Sequence, residues 1–185
     1  MEKSLDAFFD RFTLANPNPT TEWDEDWPSP CETGEPFIKD EQKLIHWQPT
    51  KRNLLADDFL GLENALEGEV HPDIKAYFGS RWSENITATA PDGPCSMLFL
   101  WSPDDINRLM ENLVGHLFAC QVNKTPFSVF FACTIDPDDY YLTVNNETGV
   151  VQLEQPAKKP IREIAPNLAT FLDQLSFEPT RLDSL

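Results

Sequence analysis

Two side chains one helical turn apart, His116 and Cys120, are the sequence's nearest approach to a reactive pair. An imidazole beside a thiol can raise the thiolate fraction, and the thiolate is the nucleophile. Both residues flank the apolar stripe of a single helix, however, where a nucleophile would be shut away from substrate. His116 is therefore read as a semi-buried hydrogen-bonding residue and Cys120 as a small hydrophobe. The three histidines, His46, His71 and His116, are widely separated, so a metal site would need acids for most of its ligands. The four cysteines, Cys31, Cys95, Cys120 and Cys133, contain no Cys-x-x-Cys pair and match no zinc or redox spacing. They suit a reducing cytosol. There is no Gly-x-x-x-x-Gly-Lys-Ser/Thr loop, no Gly-x-Gly-x-x-Gly turn, no His-Glu-x-x-His and no Gly-x-Ser-x-Gly. Carboxylates are so numerous that chance pairs are expected, and their spacing singles none out. The sequence thus predicts a protein that is not an enzyme, with no catalytic residue, no metal and no cofactor.

What remains to do chemistry is charge. Thirty-one Asp and Glu face fourteen Lys and Arg, a formal net charge of -17. Such a field repels nucleic acid and anionic lipid and attracts basic partners over roughly 10 Å at ordinary ionic strength. It predicts no nucleic-acid binding and no direct insertion into lipid. Solubility alone is the competing explanation. The acids are not spread evenly. Glu22, Asp24, Glu25, Asp26, Glu32 and Glu35 fall in a stretch with no basic residue between Arg11 and Lys39. Trp23 and Trp27 interleave with them, which predicts that this segment lies against the domain rather than trailing in solvent. A second acidic point is Asp104-Asp105, at the start of the strongest helix. The expected partner-binding residues are Glu22, Asp24, Glu25, Asp26, Asp104 and Asp105. For the last two, complementarity to the helix dipole competes, at about 0.3–1 kcal/mol each.

These residues need elements to hold them. Leu5, Phe8, Phe9 and Phe12 at helical spacing predict a helix over 4–15, with Ser4 as N-cap, broken by Asn16-Pro17-Asn18-Pro19. Residues 16–36, with five prolines, read as irregular. A strand is expected at 44–48, an exposed helix at 56–67 and a helix starting at Pro72. Strands at 85–89 and 95–101 form a hairpin through Asp92-Gly93. Ser102 as N-cap and Pro103 at the first helical position open the long helix, whose stripe is Ile106, Leu109, Met110, Leu113, Val114 and Leu117. Gly115 inside it suggests close packing against a neighbour. Strands at 127–135, 140–144 and 150–153 follow, the last two a hairpin. A closing helix runs over 166–175, and the tail over 177–185 is expected to fray. Helices at both ends with paired strands between predict an α+β fold, a single domain over 1–185 with a mixed, largely antiparallel sheet. At 41% hydrophobic residues the core is well supplied. The acidic start lacks the features of an export signal, and no stretch reaches the roughly 18 apolar residues of a membrane helix.

At Trp101-Ser102-Pro103-Asp104-Asp105 and Glu111-Asn112-Leu113-Val114-Gly115-His116-Leu117, the chain resembles the Syd family of SecY-interacting proteins. His46-Trp47-Gln48-Pro49, the helix from Pro72 to Phe78, the strand after Pro126 and Asn167-Leu168-Ala169-Thr170-Phe171-Leu172 extend the resemblance along nearly the whole chain. It implies a peripheral protein on the cytoplasmic face of the bacterial inner membrane, with a soluble pool, that binds SecY and monitors or regulates translocon assembly. The family's binding surface is an acidic groove, and its wider superfamily includes immunity proteins against secreted toxins. The resemblance and the charge agree, because cytoplasmic loops of membrane proteins carry excess Lys and Arg. An immunity-type inhibitor of a basic nuclease toxin is the alternative that the same acidity allows.

Overall fold

The computed structural model describes residues 1–52, 58–135, 140–156 and 158–178. In chain order the elements are α1 (Glu2–Ala15), β1 (Thr20–Glu22), β2 (Glu32–Lys39), β3 (Gln42–Trp47), β4 (Thr50–Lys51), α2 (Leu60–Leu66), α3 (Pro72–Phe78), β5 (Arg81–Trp82), β6 (Ile86–Ala90) and β7 (Gly93–Met97). They continue as α4 (Asp104–Asn123), β8 (Ser128–Thr134), β9 (Tyr141–Asn145), β10 (Val151–Glu154), β11 (Arg162–Ala165) and α5 (Leu168–Gln174). The class is α+β, as the order of elements predicts. Its main sheet has six strands in the order β11-β10-β9-β8-β7-β6, every neighbouring pair antiparallel.

The central strand β8 shows how the layers assemble. Its Phe130 faces α4 through His116, while Phe131 meets Tyr77 of α3 and Phe171 of α5. Helices therefore cover both faces, which is why β8 is an almost unbroken apolar run rather than an alternating one. The edge strand β6 alternates cleanly, with Ile86, Ala88 and Ala90 in and Thr87 and Thr89 out. α1 buries Leu5, Phe8, Phe9 and Phe12, the face its spacing predicts. Arg11 ties it to α5 by donating to the Leu172 carbonyl at 2.7 Å. The turn after β9 docks on α3: Asn146 Oδ1 accepts from the His71 amide at 2.9 Å, and its amide group donates to the Glu69 carbonyl at 2.9 Å.

Several expectations change. The stretch 16–36 is not irregular throughout: β1 and the start of β2 lie in it, both paired to β3 in a separate three-stranded sheet. Proline there spares the ladder because β1 and β2 are both edge strands. α1 begins at Glu2, before Ser4, and Ser4 is not its cap. α4 begins at Asp104 with Pro103 as N-cap and no side-chain cap, and the Ser102 hydroxyl accepts the indole N–H of Trp27. Gly115 is not closely packed: a Cβ there would meet nothing within 4 Å. Only Leu113 and Leu117 of the expected stripe are fully buried, beside Asp105 and Cys120. The tail expected to fray starts with Phe177 packed on Phe8 and Phe12, and 179–185 lie outside the described residues. So do Ala56 and Asp57 of the helix expected over 56–67, whose described part is α2.

Candidate functional site

A groove of about 970 Å³ opens between the acidic segment, the β2–β3 hairpin, the chain around 83–85 and 98–101, and the first turns of α4. Its floor is apolar, with Phe78, Leu98, Phe99, Leu100 and Phe130. Its walls carry seven carboxylates (Glu22, Asp24, Glu25, Asp26, Glu32, Glu84 and Asp105) against two cations, Lys43 and Arg108. Five of the six acids singled out in the sequence thus come together at one site, although eighty residues separate the two groups. Asp104 is exposed and does not line the groove.

The acidic segment is shaped by its own backbone bonds and held by tryptophan. Asp24 closes a turn, its Oδ1 accepting the Asp26 amide at 2.9 Å and its carbonyl the Trp27 amide at 3.2 Å. The Trp27 indole N–H donates to Ser102 Oγ at 2.8 Å, and the Trp101 indole N–H donates to the Trp27 carbonyl at 3.2 Å. Ser29 Oγ donates to the Trp101 carbonyl at 2.5 Å. The expectation that two tryptophans hold this segment is met at Trp27 by hydrogen bonds. Trp23 is held differently, with Lys43 Nζ 3.6 Å above its ring.

Asp105 is 8% exposed and its carboxylate is already engaged. One oxygen accepts the amides of Trp101 at 2.9 Å and Ser102 at 3.0 Å; the other pairs with Arg108. It fixes the start of α4 and still adds its charge to the wall. Glu84 links its own segment to β1 by accepting from Thr21 Oγ1 at 3.3 Å, while its other oxygen accepts the neighbouring Asn85 amide at 3.2 Å. Asn85 Oδ1 in turn accepts the Phe99 amide at 3.0 Å. Sequence reasoning left out Glu32, Glu84 and both cations. Glu32 stood in the acidic run that was noticed, but nothing local marks Glu84, Lys43 or Arg108, because only the folded chain brings them beside the segment.

The His116–Cys120 pair lies elsewhere, between α4 and β8. Cys120 Sγ and His116 Nε2 are 3.5 Å apart, and His116 Nε2 is 3.5 Å from Ser128 Oγ. Burial pushes the Cys120 thiol up and the His116 imidazole down from their ordinary values. Both shifts favour the neutral forms, the opposite of an activated thiolate–imidazolium pair. Behind them Ser128 Oγ donates to Glu154 at 2.8 Å, and burial raises the Glu154 carboxyl. This is a buried hydrogen-bond network of the core. Among the described residues no three His, Cys, Asp or Glu side chains gather as a metal cluster. No described helix is long and apolar enough to cross a membrane.

Comparison with known proteins agrees with the resemblance carried by the Trp101–Leu117 block. The family model described as Syd protein (SUKH-2) matches residues 2–177. Protein Syd of Pseudoalteromonas atlantica is 38% identical over 187 residues, covering 99% of this chain and 98% of that protein. Protein Syd of Colwellia psychrerythraea is 40% identical, covering 85% of this chain and 80% of its own length. Protein Syd of Alteromonas mediterranea is 42% identical, with 83% and 82% covered. With a family model matched almost end to end and relatives above 30% identity along most of both lengths, the chain belongs to the Syd family.

Proposed function

We propose that this protein is a binding protein that receives the basic cytoplasmic loops of the SecY translocon channel in the acidic groove, and so monitors or regulates translocon assembly. The observation that carries the reading is the groove itself, where seven carboxylates outweigh two cations over an apolar floor. Carboxylates around a concave, partly apolar surface focus the field on a basic segment that enters, and speed its encounter. The apolar floor gives that segment's aliphatic stems something to cover, as Lys and Arg side chains do when only their heads stay in water. On this reading Glu22, Asp24, Glu25, Asp26 and Asp105 act at the site. Asp104 contributes only from outside it. The net charge of -17 repels anionic lipid, so attachment to the membrane depends on the protein partner. The protein then sits peripherally on the cytoplasmic face of the inner membrane, in exchange with a soluble pool.

The test is binding of the purified chain to SecY-containing translocon in nanodiscs, at low and high salt. We expect saturable binding that weakens steeply with salt and is absent from empty nanodiscs. Replacing Glu22, Asp24, Glu25 and Asp26 together by the corresponding amides should weaken it by at least about tenfold, since each close charge pair is worth roughly 1 kcal/mol in water. No binding at low salt would overturn the SecY reading. It would leave the groove to a basic toxin, with this chain as an immunity-type inhibitor.

A further inference from the structure

We propose that the groove holds a preformed seat for an arginine side chain, and that Arg108 occupies it as a built-in placeholder that a partner's arginine displaces. The inference rests on the reading of the groove as a site for basic protein segments, and adds which side chain is read and how entry is controlled. The Arg108 guanidinium carbon lies 4.6 Å over the Trp27 ring, and the same guanidinium pairs with Asp105. A planar cation on an aromatic face, with a carboxylate at its edge, is the arrangement that suits a guanidinium better than an ammonium.

The two parts of the seat do not depend on Arg108 for their placement. The indole is held by Ser102 Oγ at 2.8 Å and by the Trp101 indole N–H on the Trp27 carbonyl. The Asp105 carboxylate is held by two backbone amides at 2.9 and 3.0 Å. The Asp105 side chain is 11% exposed, whereas that of Arg108 is 58% exposed, on a long flexible stem from the helix surface. The fixed members are the ring and the carboxylate, and the mobile member is the cation. An incoming arginine can therefore take the seat while Arg108 swings into solvent, with charge conserved in the seat. A segment without a guanidinium has no group that suits the seat, so it gains little whether Arg108 occupies it or not.

The test uses two eight-residue peptides, one alternating arginine with glycine and one alternating lysine with glycine. They are titrated at low salt into the full-length protein, Arg108→Gln, Arg108→Lys and Arg162→Gln. Arg162 pairs with Asp92 away from the groove, so its variant removes the same charge without touching the seat. Asp105 keeps both backbone amides in the Arg108 variants, so the start of α4 is retained. We expect Arg108→Gln to bind the arginine peptide about fivefold more tightly. The gain should be less than about twofold for the lysine peptide, and for Arg162→Gln with either peptide. In the unmodified protein the Arg108 Nε–H resonance, displaced by the Trp27 ring, should move to a solvent-exposed position on saturation with the arginine peptide. Equal effects of Arg108→Gln and Arg162→Gln, or an Arg108 resonance that stays in place in the saturated complex, would overturn the placeholder and leave the groove reading standing. Failure of every variant to bind either peptide would overturn both.

Discussion

Asp105 carries two demands on one carboxylate, and the geometry separates them. A surface acid chosen for charge alone would leave its oxygens free. Here they accept two backbone amides and a guanidinium at 8% residue exposure. Its neighbour Asp104 is exposed and opens the helix with charge only. Asp105→Ala leaves the amides of Trp101 and Ser102 without their acceptor, and an unsatisfied buried donor typically costs about 1–3 kcal/mol. Asp104→Ala forfeits only dipole complementarity, at most about 1 kcal/mol. Urea unfolding of the two variants should therefore show the larger loss at position 105. Equal losses would mean that the bonds around Asp105 contribute no more than its charge. The adjacency Asp104-Asp105 was legible in the sequence, but the division of labour was not. It depends on which acid turns back toward the chain at 101–102, and only the folded chain shows that Asp105 does so, accepting both amides there.

Among the elements, α4 was the most legible and also the most misread. Its existence and its buried positions Leu113 and Leu117 follow from period alone. The rest of its stripe is half-buried at the margin of the core, and Leu109 also lines the groove. Gly115 was read as a close contact, on the reasoning that a helical glycine needs a packing reason, yet a Cβ there meets nothing within 4 Å. Gly115→Ala should accordingly stabilise the fold by about 0.5–1 kcal/mol, through helix propensity and a less flexible unfolded chain. A thermal or urea midpoint that falls instead would show that the helix needs the glycine for something outside the described contacts. The eight-residue β2 begins in the stretch read as irregular and has no fully buried residue to mark an alternation; the other strands missed are short. β1 has three residues and β4 and β5 two each, too few for any alternation to show. β11, for which no element is expected from the sequence, is Arg162–Ala165, with only Ala165 buried. It is the edge strand of the main sheet, paired only to β10, and so little of it is buried that the sequence carries almost no trace of it. The same limit explains why the groove's acidic segment was visible and its opposite wall was not. A run of acids with two tryptophans is a local signal, whereas Glu84 and Arg108 acquire their meaning only from tertiary pairing.

Across the whole molecule, the charge that prepares the groove for a basic partner also opposes the compact state. Fourteen cations cannot neutralise thirty-one acids, so most carboxylates have like-charged neighbours and folding brings them closer. Ion pairs offset part of this. Among the described residues, Arg52–Asp58 at 2.6 Å is the deeply buried pair, with side chains 3% and 6% exposed, and salt screens it little. Exposed pairs such as Arg162–Asp92 at 3.0 Å contribute no more than about 1 kcal/mol each and weaken with salt. The excess of like charges therefore outweighs the attractive pairs that salt can reach. Raising sodium chloride from about 20 mM to 500 mM shortens the Debye length from roughly 20 Å to 4–5 Å. Over that range the folded state should gain stability in urea, of the order of 1–2 kcal/mol. Binding of a basic partner should weaken over the same range, because one field governs both with opposite sign. Stability that falls with salt would show instead that the native ion pairs dominate, and that the fold has distributed its acids widely enough to escape their repulsion. The carboxylates of the groove would then be an isolated concentration on an otherwise balanced surface.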